Sequence, residues 1–111
     1  MTQETIETWL ASWPNTWLDF PYGKDIAVYK FGDKDTEDGK LFALVERGSV
    51  PVRLSLRSDP QLAVLLREKY ETILPAKNLN KKYWNTIICS GQLDEEALKD
   101  LIRHAYQEVQ K

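Results

Sequence analysis

Two adjacent lysines, three side-chain amides and two large aromatics crowd one short stretch of the chain. Asn78, Asn80, Lys81, Lys82, Tyr83, Trp84 and Asn85 run directly into the β-branched segment Thr86, Ile87, Ile88. Lysine ammonium groups neutralise phosphates, amides donate to phosphate oxygens or read base edges, and a tyrosine ring stacks on a base. The mixture is compatible with a polar binding surface for an anionic partner, nucleic acid included. Lys77 lies just upstream, and Arg53 and Arg57 come from a separate segment, so the candidate binding set is Arg53, Arg57, Lys77, Asn78, Asn80, Lys81, Lys82, Tyr83 and Asn85. A structural reading stands beside it: Trp84 anchors a strand in the core, and Asn80 and Asn85 satisfy nearby backbone groups.

Catalysis needs groups with tunable protons, and 111 residues supply one histidine and one cysteine. His104 falls in a helical pattern and reads as a partly exposed helix residue, while Cys89 ends a strand and reads as a small buried apolar group. No glycine-rich phosphate loop, serine elbow or metal-ligand spacing is present. The chain is expected not to be an enzyme and to need no cofactor. The acidic run Asp33, Asp35, Asp38 is no calcium loop either. Counting from Asp33, the position that requires glycine holds Asp38 and the position that requires a bidentate glutamate holds Leu44.

A formal charge of −2 argues against a protein that binds polyanions over its whole surface. The charge is unevenly spread, however. Residues 51–82 carry seven bases against three acids, whereas residues 1–25 carry one against four, so an anion-binding face must be drawn from the third quarter of the chain. With 42% hydrophobic and 29% charged residues the composition is that of a folded domain rather than a disordered chain, and the length fits a single domain over residues 1–111. The longest apolar runs, Leu41 to Val45 and Leu62 to Leu66, are too short to span or enter a membrane. A lone cysteine makes no internal disulfide, as expected of a cytoplasmic protein.

The elements that must position these residues are legible in outline. Thr2 can cap a first helix whose stripe is Ile6, Trp9, Leu10 and Trp13, stopped by Pro14; the two tryptophans read as core at this spacing. Thr16 to Gly23 reads as a short extended piece ending in a turn, and Ala27–Phe31 and Lys40–Val45 as a hairpin around the polar loop from Gly32 to Gly39. Pro51 to Arg57 alternates Val52, Leu54 and Leu56 with Arg53, Ser55 and Arg57, the signature of a strand with one buried and one wet face. Asp59 and Pro60 start a second helix with a stripe of Leu62, Leu65, Leu66 and Tyr70, ending before Pro75; Arg67 falls on its outer side as solvated charge. The central stretch becomes a strand through Cys89, and a last helix runs from Asp94 to Val109, stapled by Leu93 and Leu98.

Four pieces then resemble one family, the MmcQ/YjbR proteins. They are Phe20-Pro21-Tyr22-Gly23 followed by Ala27-Val28-Tyr29-Lys30; Gly39-Lys40-Leu41-Phe42-Ala43-Leu44; Ser58-Asp59-Pro60 with Leu62, Leu65, Leu66, Arg67 and Tyr70; and Leu79-Asn80-Lys81-Lys82-Tyr83-Trp84-Asn85-Thr86. The Asn-Lys-x-x-Trp-Asn-Thr run is the most specific. The resemblance implies a frataxin-like (CyaY-like) α+β fold, an antiparallel sheet with N-terminal, middle and C-terminal helices on one face, and a "double wing" surface that meets DNA. The family often has histidine or an aromatic where this chain has Asn78, and histidine where it has Tyr83, so no imidazole role carries over. The expected function is a small, monomeric DNA-binding module of weak and largely sequence-independent affinity. The alternative is a protein-interaction module whose surface surrounds Tyr22, Tyr83 and Asn85. Fold analogy alone adds metal binding by Glu4, Glu7, Asp33, Asp35 and Asp38.

Overall fold

The computed structural model describes residues 2–111. Helix starts lie where the sequence supplies side-chain acceptors for otherwise unpaired amides. Thr2 accepts from the Thr5 amide to cap α1 (Gln3–Ala11), Asp59 accepts from Gln61 and Leu62 to cap α2 (Pro60–Lys69), and Asp94 accepts from Ala97 to cap α3 (Glu95–Glu108). Pro60 occupies the first turn of α2, where its missing amide hydrogen is no loss.

Six strands form one antiparallel sheet: β1 (Thr16–Asp19), β2 (Ile26–Phe31), β3 (Lys40–Glu46), β4 (Val52–Arg57), β5 (Ile73–Pro75) and β6 (Trp84–Cys89), in the order β1-β2-β3-β4-β6-β5. The fold is α+β. Strand alternation assigns one side of the sheet to the helices. Ala27, Tyr29, Val45, Leu54, Leu56, Ile73 and Ile87 pack there against Ile6 and Leu10 of α1 and Leu98, Ile102, Ala105 and Tyr106 of α3. Trp13 closes this core by stacking on Tyr106 at 4.9 Å between ring centroids, and Trp9 packs at its rim, so both tryptophans belong to the core as expected. Leu93 and Leu98 are buried together at the start of α3.

Three expectations change. Ala63, not the leucine stripe, is the buried residue of α2, and Leu65 is 59% exposed. The reason is close approach: the Ala63 carbonyl accepts from the Asn85 side chain of β6, which brings the helix against the sheet over a small residue. The helix also ends at Lys69, with Tyr70 already extended, and the chain then forms β5, an edge strand that pairs with β6. Its three residues are too few to show an alternation, and Pro75 read only as a helix stop. Finally, the second face of β4 is not simply wet. Ser55 is buried and Arg53 and Arg57 are half-buried, because the connection 76–83 folds back over the helix-free side of the sheet.

Candidate nucleic-acid interface and adjoining cleft

The connection 76–83 has its own apolar anchor. Ala76 and Trp84 are buried against Val28 and Leu44 on the helix-free face, with Ile26, Leu41, Leu79 and Tyr83 packed around them. Trp84 is 4% exposed and is therefore a core residue. Backbone geometry is held from several sides. Asn78 adopts a left-handed φ of 65°, which asparagine tolerates better than most residues. The Asn80 side-chain oxygen accepts from the Lys82 amide at 3.0 Å, a local turn, and the Ser58 amide donates to the Tyr83 carbonyl at 2.7 Å. From α2, one Arg67 nitrogen donates both to the Lys81 carbonyl and to the Asn85 side-chain oxygen, each at 2.9 Å. Arg67 is thus a clamp rather than a solvated charge.

Two cations converge on Tyr83. The Arg57 guanidinium carbon lies 4.4 Å from the ring centroid and the Lys82 ammonium 5.5 Å from it. Among the described residues neither cation has a carboxylate at ion-pairing distance. Stacking on an aromatic face orients the guanidinium plane without using its hydrogen-bond donors. Lys81 is exposed beside this pair. With both cations against it, the Tyr83 ring serves as their platform.

Arg53 belongs to a different environment. It stands four residues before Arg57 on the same face of β4, about 13 Å away by strand rise, and its Nε donates to Glu46 of β3 at 2.9 Å. Together with Tyr22, Ile26, Leu44, Ser55, Lys77, Asn78, Leu79 and Thr86, this ion pair lines a cleft of about 300 Å³ on the helix-free face. Its floor carries a buried hydrogen bond between the Ser55 and Thr86 hydroxyls, 2.7 Å long, formed because these residues are directly paired across β4 and β6.

The nine residues singled out in the sequence therefore divide. Arg57, Lys81, Lys82 and Tyr83 gather at one corner, while Arg53, Lys77 and Asn78 line the cleft. Asn80 holds a turn. Asn85 is 3% exposed on the opposite, helix-facing side, where its nitrogen donates to Ala63 and its oxygen accepts from Arg67, so it presents no surface to a phosphate or a partner chain. Glu46, Ser55 and Thr86 were missed as lining residues, and Tyr22 was named only for a protein-interaction surface. Only the Ser55 position in an alternating strand hinted at their side of the sheet.

Three further titratable side chains, His104, Cys89 and Glu7, are held by their surroundings in the fold. His104 accepts the Asp59 amide hydrogen on Nε2 at 3.1 Å, which ties α3 to the cap of α2 and requires the other ring nitrogen to carry the proton in the neutral form. Burial pushes the half-buried Cys89 thiol up to about 11. Burial alone would raise Glu7, but hydrogen bonds from Arg47, Tyr29 and Gln3 and the Arg47 charge outweigh it and hold its carboxyl below the usual range. Among the described residues no group of three or more His, Cys, Asp or Glu side chains is arranged to hold a metal ion. No helix among them is long and apolar enough to cross a membrane.

Comparison with known proteins gives the same architecture and sequence pattern. Escherichia coli O157:H7 YbdF, an uncharacterized protein, is 33% identical over 107 residues, spanning 96% of this chain and 82% of its own. Uncharacterized protein YjbR of Escherichia coli (strain K12) is 34% identical over 69 residues, 62% of this chain and 58% of that one. The crystal structure of a Deinococcus radiodurans protein with a DUF419 domain superposes with a TM-score of 0.92 at 31% identity, covering 99% of this chain and 79% of the other. A Pseudomonas syringae protein shares the fold with a TM-score of 0.78 at 24% identity, covering 97% of this chain and 98% of its own. The model of the YjbR family matches residues 11–108, and this chain belongs to that family.

Proposed function

We propose that this protein is a non-enzymatic DNA-binding module, weak and largely indifferent to sequence, that meets phosphates through Arg57, Lys81 and Lys82 around Tyr83. The observation that carries the reading is the convergence of Arg57 and Lys82 on one ring without a neutralising carboxylate among the described residues. An aromatic-backed guanidinium keeps its donors pointing outward in a fixed plane, which suits a phosphate's oxygens. Arg53 and Lys30 share this side of the sheet but are neutralised by Glu46 and Asp19, so the contact set is small. With the two buried or turn-bound asparagines removed from it, little remains to read base edges.

Three phosphate contacts imply a logarithmic salt slope of about −3, and a dissociation constant no tighter than about 10⁻⁴ to 10⁻⁶ M at physiological salt. Anisotropy titration of a labelled short duplex from about 20 to 200 mM salt tests this. The reading expects that slope, and loss of binding in Lys81→Glu with Lys82→Glu. Absence of binding near 20 mM salt refutes it. A protein-interaction role is favoured instead by one observation, the exposed apolar series Leu18, Phe20 and Tyr22 at the outer strand β1 and the turn after it. Tyr22→Ser with Phe20→Ser separates the two, since it leaves duplex binding intact and weakens only a protein partner.

A further inference from the structure

We propose that the cleft on the helix-free face binds a small monocarboxylate with an apolar body. The inference goes beyond the nucleic-acid reading, because Arg57, Lys81 and Lys82 take no part in the lining.

Arg53 is held at one nitrogen only. Glu46 engages Nε alone, at 2.9 Å, and among the described residues neither terminal nitrogen of Arg53 has a hydrogen-bond partner. The guanidinium keeps its two-nitrogen end open, able to donate in parallel to the two oxygens of a carboxylate. Lys77 supplies a second cation in the lining. Arg53, Lys77 and Glu46 together leave one formal positive charge, which complements a monoanion and, with Glu46 beside Arg53, disfavours a dianion such as a phosphate monoester.

The floor of the cleft adds a hydroxyl donor. Ser55 and Thr86 bring two hydroxyl protons to a buried pair, and their mutual bond uses only one. The other is available to an acceptor in the cleft. Beside these polar groups Leu44, directly paired with Ser55, and Ile26 continue the floor as apolar surface, Leu79 of the connection 76–83 adds to it, and Tyr22, 58% exposed, completes the lining. A volume of about 300 Å³ is the lower limit for small-molecule sites and holds roughly ten waters, so the ligand class is an aryl or short alkyl acid of about a dozen non-hydrogen atoms.

The probe is 3-phenylpropionate, titrated into the labelled protein and followed by amide, methyl and arginine Nε resonances. Saturable shifts at Arg53, Leu44 and Leu79 are expected. The neutral 3-phenylpropanol and the dianionic phenyl phosphate should each bind at least about tenfold more weakly. Arg53→Met should weaken the acid about tenfold or more, and Lys77→Glu, an exposed position that the fold does not depend on, several-fold. No saturable shift at about 20 mM acid, equal binding of the alcohol, or tighter binding of phenyl phosphate overturns the proposal. Duplex binding is read in a separate titration, so either reading can fail while the other stands.

Discussion

Replacing Asn85 with alanine should destabilise the fold rather than blunt a binding surface. The side chain is 3% exposed, donates to the Ala63 carbonyl at 3.0 Å and accepts from Arg67 at 2.9 Å. A neutral buried hydrogen bond is worth about 1 kcal/mol and one to a charged group about 1.5 kcal/mol or a little more. The Ala63 carbonyl can keep a helical partner and Arg67 can turn to water, which limits the penalty for groups left unpaired. The expected loss is about 2–3 kcal/mol, or about 8–12 °C in Tm for a domain of this size. Asn85→Asp keeps the acceptor for Arg67 but sets a carboxylate against a carbonyl, so it should fall between wild type and alanine. Urea unfolding followed by circular dichroism measures both, with an unchanged m-value marking a pure stability effect. An alanine variant with the wild-type midpoint refutes the argument, most clearly if it has also lost duplex binding, since Asn85 would then be a contact and not a pin.

Three further outcomes follow from single sites. Glu7 sits below its ordinary value near 4.5, so the stability it contributes is present above that pH and is lost as pH falls through the lower folded value; the unfolding free energies of wild type and Glu7→Gln from urea titration should differ by about 1–2 kcal/mol near neutrality and converge in acid. Cys89, held at about 11 against an ordinary 9.0, has about a hundredfold less thiolate at pH 8 than an exposed thiol, partly offset by greater nucleophilicity, so iodoacetamide should label the native protein roughly tenfold more slowly than the urea-unfolded chain. Asn78→Gly should leave thermal stability within about 1 kcal/mol of wild type, whereas Asn78→Val, forced to a φ of 65°, should lose about 1–2 kcal/mol.

What the sequence makes legible here is what local chemistry determines. Thr2, Asp59 and Asp94 cap the helices they promise, because each acts on amides two or three residues away. The alternation of Val52, Leu54 and Leu56 gives β4 and its buried side directly. The structural roles of the candidate residues were not legible. Asn85 meets Ala63 across 22 residues, and Arg67 meets Lys81 across 14, so periodicity could not distinguish a pin and a clamp from two surface polar groups. Arg53 and Arg57 look equivalent in the strand pattern, yet pairing with β3 gives one a carboxylate and folding of the connection 76–83 gives the other a tyrosine ring. The three-residue β5 carries no signal of its own; it exists because β6 offers it an edge.

The most direct measurement is a two-dimensional amide correlation titration with a short unlabelled duplex at about 20 mM salt, repeated near 200 mM. Shifts should centre on Arg57 and residues 81–83, shrink steeply at the higher salt, and leave α1 and α3 silent. Silence throughout at the lower salt, or shifts centred on the helical side of the sheet, contradicts the account.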